Sequence, residues 1–326
     1  MRSARRLLWL TLGAAAACGG GAPAPADSDA GPVDAAGPPD AGPADAGAPD
    51  ATTGPVDCEH LSATPSVTLL PGFVGTEDIT FDDAGHVLES DTEHIYKTTR
   101  GGQRQTFVAN LPFRAGMRMT PAGKLIVNDN TTGTLWRIDA DGSRHPLMTG
   151  LSYPNGMEIG KDGFVYFTDQ TEAKVYRVDP ESGAHTVLTT GVSEPNGLTF
   201  DPTYRKLYIG SFCGDKQQAI HVLDVGANGQ PGALHTFATG VGTGCHDGMG
   251  VDACGNVYVA DFGNSTVYRV SPDGQTIEPL ITSRGSYHAN FEWGRGVGGW
   301  DARKLYVVSV GEGIKEVDLG VARKDR

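Results

Sequence analysis

Helical periodicity is missing from this 326-residue chain, and the one markedly apolar leader run, Leu7 to Leu12, is too short to cross a bilayer as a helix. Helical bundles are thereby excluded. Cysteine is scarce, five residues in all, and none stands in a Cys-x-x-Cys spacing. That argues against a thiolate zinc site or a thioredoxin-like redox centre. Basic residues are outnumbered, 26 Lys and Arg against 39 Asp and Glu, for a net charge of −13. Three Arg and seven Asp fall within residues 1–57, so residues 58–326 carry −9 (23 basic, 32 acidic). Such a domain is a poor partner for nucleic acid or an anionic membrane, but it tolerates or attracts a cation.

Large apolar residues are nearly absent from Gly19 to Asp57, a stretch built of Ala, Gly, Pro and Asp. It cannot bury enough surface to offset ordering, so residues 19–57 are expected to be a disordered, extended tether. Ahead of it, Arg2, Arg5 and Arg6, the run Leu7 to Leu12 and the small residues Ala14 to Ala17 form an export signal over residues 1–18. Cleavage before Cys18 would leave a lipidated cysteine, and the segment resembles a bacterial lipoprotein signal, though it lacks the usual leucine three residues earlier. Cleavage after an Ala-x-Ala is the alternative. The expectation is export and lipid anchoring in a cell envelope, facing outer membrane or periplasm, with the lipid as the sole membrane contact.

From Cys58 onward the chain repeats itself. Six segments open with a short alternating run, at Glu77, Gly116, Asn155, Asn196, Asp247 and Gly294. Each then turns on residues such as Asp82-Asp83-Ala84-Gly85 or Lys161-Asp162-Gly163 and continues into a second apolar strand. Third strands follow, as in Lys174 to Val178 and Thr266 to Val270, and a fourth closes most units. A repeat of about 40–50 residues with four strands per unit is the pattern of propeller blades. The sixth unit ends after three strands near Leu319, while Ser66 to Leu70 stands unassigned before the first. The predicted fold is therefore all-β: a six-bladed β-propeller over residues 58–326, the ring closed by an N-terminal strand in the last blade, and a monomer is expected.

Repetition does not require the polar residues that begin four inner strands: Glu77, Asn155, Asn196 and Asp247. Each triplet such as Pro154-Asn155-Gly156 can serve as a turn, yet every blade has its own turn further along. Two carboxylates and two amide carbonyls converging on one axis repel without a cation and suit a hard divalent ion, Ca²⁺ first, with Mg²⁺, Mn²⁺ or Zn²⁺ as alternatives. The set Glu77, Asn155-Gly156, Asn196-Gly197 and Asp247-Gly248 resembles the gluconolactonase, senescence-marker-protein and luciferin-regenerating-enzyme family of propellers, from about Phe73 to Val317. The resemblance implies a divalent ion in the tunnel and hydrolysis of a small-molecule lactone or ester. Tyr153 departs from the pattern, standing where sugar lactonases often carry an arginine, so sugar-acid recognition is not implied. A non-catalytic surface lipoprotein that binds a ligand or partner, with a structural metal, is the competing reading.

Around that set, Asp247 is the candidate to activate water and His246 the reserve base. Arg114, Asn128, Asp129, Tyr153, Asp169 and Trp293 are candidate substrate contacts; for Asn128, Asp129 and Asp169 a turn-capping role is the alternative, and for Trp293 packing between blades. Strand placement puts Cys213 and Cys245 on the ligand-bearing face, where a bridge is reasonable. Cys254 falls in a hairpin at the opposite face, which leaves Cys58 as its partner.

Overall fold

The computed structural model describes residues 56–111, 114–283 and 285–324, with the backbone alone at Arg114. The signal, Cys18 and nearly all of the tether lie outside the described residues. Every regular element described is a strand, grouped in six four-stranded antiparallel sheets. Blade one holds β2 (Thr80–Phe81), β3 (His86–Ser90), β4 (Ile95–Thr99) and β5 (Arg104–Val108), after β1 (Val67–Leu70). Blade two holds β6 (Arg114–Met119), β7 (Leu125–Asp129), β8 (Thr134–Ile138) and β9 (Arg144–Met148). Blade three follows with β10 (Pro154–Ile159), β11 (Val165–Asp169), β12 (Lys174–Val178) and β13 (His185–Thr189). Blade four has β14 (Pro195–Phe200), β15 (Lys206–Ser211), β16 (Ile220–Val225) and β17 (Pro231–Ala238). Blade five has β18 (His246–Val251), β19 (Val257–Asp261), β20 (Thr266–Val270) and β21 (Ile277–Thr282). Blade six has β22 (Tyr287–Trp293), β23 (Lys304–Val310) and β24 (Gly313–Asp318).

The sixth blade is completed from the other end of the chain. β1 pairs antiparallel with β24, Val67 facing Val317 and Leu70 facing Ile314. This is the predicted closure: a strand from before the first blade supplies the fourth strand of the last.

Burial follows position within each blade. Second strands such as β7, β11 and β19 are buried along their whole length, whereas β5, β9 and β13 begin with three exposed residues. The apolar residues form six clusters, one between each neighbouring pair of blades. Met148, Met157 and Phe167 join blades two and three; Tyr258, Phe291 and Trp293 join five and six. The sixth and first blades meet through Phe81, Trp300 and Tyr306, whose rings pack at 4.9–5.4 Å. Six small interfaces thus replace one large core.

Two strand openings differ from expectation. The inner strand of blade two begins at Arg114, which faces Asp129, so Ala115 rather than Gly116 holds the place of Asn155. In blade six the inner strand is β22, which puts Ala289 in that place. Gly294 instead starts the following turn, its amide bonded to the Lys304 carbonyl. A glycine-rich run imitated the repeat, while the true position lacks a polar residue followed by glycine.

Candidate functional site

In β6, β10, β14, β18 and β22 the register breaks at one place, immediately around the residue equivalent to Asn155. A bulge there re-aims a side chain that a regular strand would point elsewhere. Asn155-Gly156, Asn196-Gly197 and Asp247-Gly248 all lie inside these bulges. Their glycines have a steric reason. A Cβ on Gly116 would run into the Asn155 carbonyl, one on Gly156 into Asn196, and one on Gly197 into Asp247. Each glycine lets the next blade's bulge sit directly against it, so the bulged residues follow one another around the axis at one level.

Counting back from the Thr80–Leu88 and Phe81–Val87 pairs places Glu77 at the same level in blade one. Glu77, Asn155, Asn196 and Asp247 are all buried, between 2% and 7% exposed. Burial first, then the charges of Asp247 and Asp78, hold the Glu77 carboxyl far above the usual range. Asp247 is raised likewise by burial and by Asp78, against a hydrogen bond from Asn196. Asn196 Oδ1 and Asp247 Oδ2 have no hydrogen-bond partner although both atoms are buried. Asn155 is oriented by donating its Nδ2 to Gln170 Oε1 at 3.1 Å. Such a set of hard oxygens, two of them orphaned and two carboxyls in conflict, fits a divalent cation. Among the described residues no three His, Cys, Asp or Glu side chains form a metal-holding group; this set contains two carboxylates and two amides.

Asp78 escaped the sequence reasoning. It occupies the position that is glycine in four other blades, and its carboxylate accepts from Met117 N and Arg118 Nη1, both at 2.7 Å. Burial pushes its carboxyl up to about 6 even though Arg118 and the Met117 amide oppose the shift. A second feature also went unseen. Residues 321–324, after β24, reach the inner strands: Arg323 Nη2 donates to Glu158 Oε1 at 2.6 Å and Lys324 Nζ to Glu158 Oε2 at 3.1 Å. Arg323 also reaches Glu292, and the Lys324 amide bonds the Val251 carbonyl. No repeat or composition signal marks those residues; only the basic end of the sequence hints at an acidic partner.

The geometry gives several of the candidate contacts structural partners. His246 is fully buried, donates Nε2 to the Val241 carbonyl at 2.9 Å, and packs against Gly210 at the blade four–five interface. Asn128 donates to the Asn155 carbonyl at 2.6 Å, stitching blade two to blade three. Asp129 accepts from Thr131 N, Thr132 N and Thr132 Oγ1, and Asp169 from Ser152 N and Tyr153 N. Both aspartates are caps. Trp293 is 3% exposed and donates Nε1 to the Val321 carbonyl within the blade five–six core, so it does not wall a pocket. The side chain of Arg114 lies outside the described residues.

Tyr153 stays at the site, half-buried. Burial and then the charges of Glu77 and Asp247 raise its phenol, which keeps the O–H protonated beside the acidic cluster. Both disulfides form as expected, Cys58–Cys254 and Cys213–Cys245.

The molecule is thus a closed six-bladed propeller with an acidic, oxygen-rich cluster on its axis. Residues 164–311 match the SMP-30/Gluconolactonase/LRE-like region family, and over that stretch the chain is gluconolactonase-like, as its motifs indicated. A 6-deoxy-6-sulfogluconolactonase from Pseudomonas putida is 32% identical over 137 residues, 41% of this chain and 44% of the relative's length. Among solved structures, a gluconolactonase from Xanthomonas campestris has a TM-score of 0.67 and 20% identity over 81% of this chain and 96% of its own. The calcium-binding protein regucalcin of Agrobacterium tumefaciens gives 0.62 and 22% over 81% and 94%. The family match includes Asn196 and Asp247; Glu77 and Asn155 join them through strand register.

Proposed function

We propose that this chain is a divalent-cation-dependent hydrolase of a lactone, acting at the mouth of the propeller tunnel. The observation that carries the reading is the pair of buried, mutually opposed carboxyls, Glu77 and Asp247, set level with the unpartnered oxygen of Asn196. The sulfogluconolactonase and gluconolactonase relatives support the substrate class, and the calcium-binding neighbour supports the ion. Glu77, Asn155, Asn196 and Asp247 would hold the cation. When bound, it supplies Lewis-acid polarisation of the lactone carbonyl and stabilises the negative charge developing there.

The chain's own residues do the rest. Asp247 Oδ2 accepts the proton of the attacking water as the new carbon–oxygen bond forms and the ring ester bond breaks. The ring oxygen leaves as a hydroxyl once that proton is returned. Asn196 fixes the Asp247 carboxyl by its hydrogen bond, and Gln170 fixes Asn155. Tyr153, kept protonated, donates its O–H to a substrate oxygen.

Hydrolysis of a lactone panel, followed by chelation and readdition of Ca²⁺, Mg²⁺, Mn²⁺ or Zn²⁺, tests the reading. Activity should disappear with chelator, return with one ion, and fall by about a hundred-fold or more in Asp247→Asn. Undiminished turnover in chelator or in Asp247→Ala would overturn it.

A further inference from the structure

The rim above the candidate cluster is chemically two-sided. In blade three the Gln170 amide bonds the Tyr153 carbonyl, and the Gln170 side chain then reaches Asn155. The same backbone bond recurs in blade four, from Phe212 to Glu194, and in blade five, from Phe262 to Cys245. Phe212 and Phe262 therefore hold in blades four and five the register position that Gln170 holds in blade three. The strand pairings put Asn130 at this place in blade two.

An aromatic ladder continues round the rim. The rings of Phe212 and Phe262 lie 5.9 Å apart, and Phe262 stacks on Tyr287 at 4.6 Å with planes 10° apart. Tyr287 is 41% exposed and sits in blade six at the register position Tyr153 has in blade three. Cys245 anchors the ladder: it pairs with Phe212, accepts the Phe262 amide, and is bridged to Cys213, the neighbour of Phe212. Bracing of this kind lowers the ordering cost of any binding in which these rings take part.

We propose that blades four to six form an apolar subsite, Phe212–Phe262–Tyr287, which selects ligands whose lactone ring bears an aryl or alkyl substituent over polyhydroxylated sugar lactones. The ester end meets Gln170 and the acidic cluster, and the substituent lies along the aromatic ladder. This rests on the lactone reading for the ring but not for the substituent, since stacking and apolar burial do not depend on turnover.

The test separates the two. Calorimetric titration of the metal-loaded protein with δ-valerolactam, its 6-benzyl derivative and a polyhydroxylated δ-lactam measures binding without hydrolysis. The benzyl lactam should bind about ten- to a hundred-fold more tightly than either other probe. Phe262→Ser, or Tyr287→Ser at the more exposed ring should the first fail to fold, should abolish most of that preference in protein that still melts cooperatively. Equal affinities for the three lactams, or preference for the hydroxylated one, would overturn the subsite whether or not lactones are hydrolysed. Tight benzyl-lactam binding by a protein that hydrolyses no lactone would uphold the subsite and remove the hydrolase reading.

Discussion

Glu77, Asp78 and Asp247 are buried carboxyls whose charges oppose one another, and the Arg118 guanidinium pairs with Asp78, which leaves the charges of Glu77 and Asp247 unbalanced. The imbalance costs stability whenever no cation is bound. Replacing Glu77 by Gln removes one charge while keeping shape, so the metal-free variant should melt above the metal-free parent, by about 2–4 °C. Adding cation should reverse the order, because the parent gains by binding and the variant gains little. Thermal melts with chelator and with saturating Ca²⁺ check both arms; equal midpoints in chelator would contradict the opposed-carboxyl account. The neighbouring glycines act through space rather than charge. Gly197→Ala would force a methyl into the Asp247 carbonyl of the next blade, backbone that cannot swing aside. A loss of about 2 kcal/mol or more in denaturant unfolding is expected.

At the scale of elements, the segment that follows β24 ties inner strands of different blades together through Glu158 and Val251. Burial alone would push the Glu158 carboxyl up, but Arg323, Lys324 and Arg118 outweigh it and hold it down at about 2. A depressed carboxyl contributes its stability above the ordinary value of 4.5 and loses it as pH falls from there toward 2. The contribution is about 3 kcal/mol. Urea unfolding of the parent and of Glu158→Gln at stepped pH should show a gap that is widest above pH 4.5 and shrinks below it. A pH-independent gap would mean that the Glu158 charge contributes nothing and that the segment is held by its other bonds, among them those to Val251, Ala253 and Trp293. How far such elements were legible from sequence depends on whether repetition carried them. Five of six blades expose the pleat and turn pattern, and Asn155, Asn196 and Asp247 were visible because an identical bulge demands glycine after each. Blade six was misplaced because Ala289-Asn290 breaks that dipeptide while Gly294 to Gly299 mimics it. Asp78 and Arg323 were invisible because each acts through a partner about forty or more residues away, as Asp78 does with Arg118, 40 residues on. Asp129 and Asp169 have the same residue type for a cap as for a pocket, and only their bonded amides decide between them.

The whole ring is held by two devices that work at opposite faces, and they should fail differently. Cys58–Cys254 ties the segment leading into β1 to the turn after β18, across 196 residues, while β1 itself completes blade six. Both therefore constrain the same closure, and in the chain-entropy account the bridge alone contributes about 5 kcal/mol. Cys213–Cys245 spans 32 residues between adjacent blades, for about 4 kcal/mol, but it lies beside Phe212 and Asp247. Cys58→Ser should accordingly lower the unfolding midpoint most while leaving KM for a substituted lactone close to the parent value in the folded protein. Cys213→Ser should cost less stability and raise KM, because Phe212 and Phe262 lose the anchor they share at Cys245. Paired unfolding and kinetic measurements on the two variants, each below its own melting transition, distinguish the roles. If both variants changed KM alike, the rim bridge would have no special hold on the mouth, and the division between a closing clasp and a bracing clasp would fall.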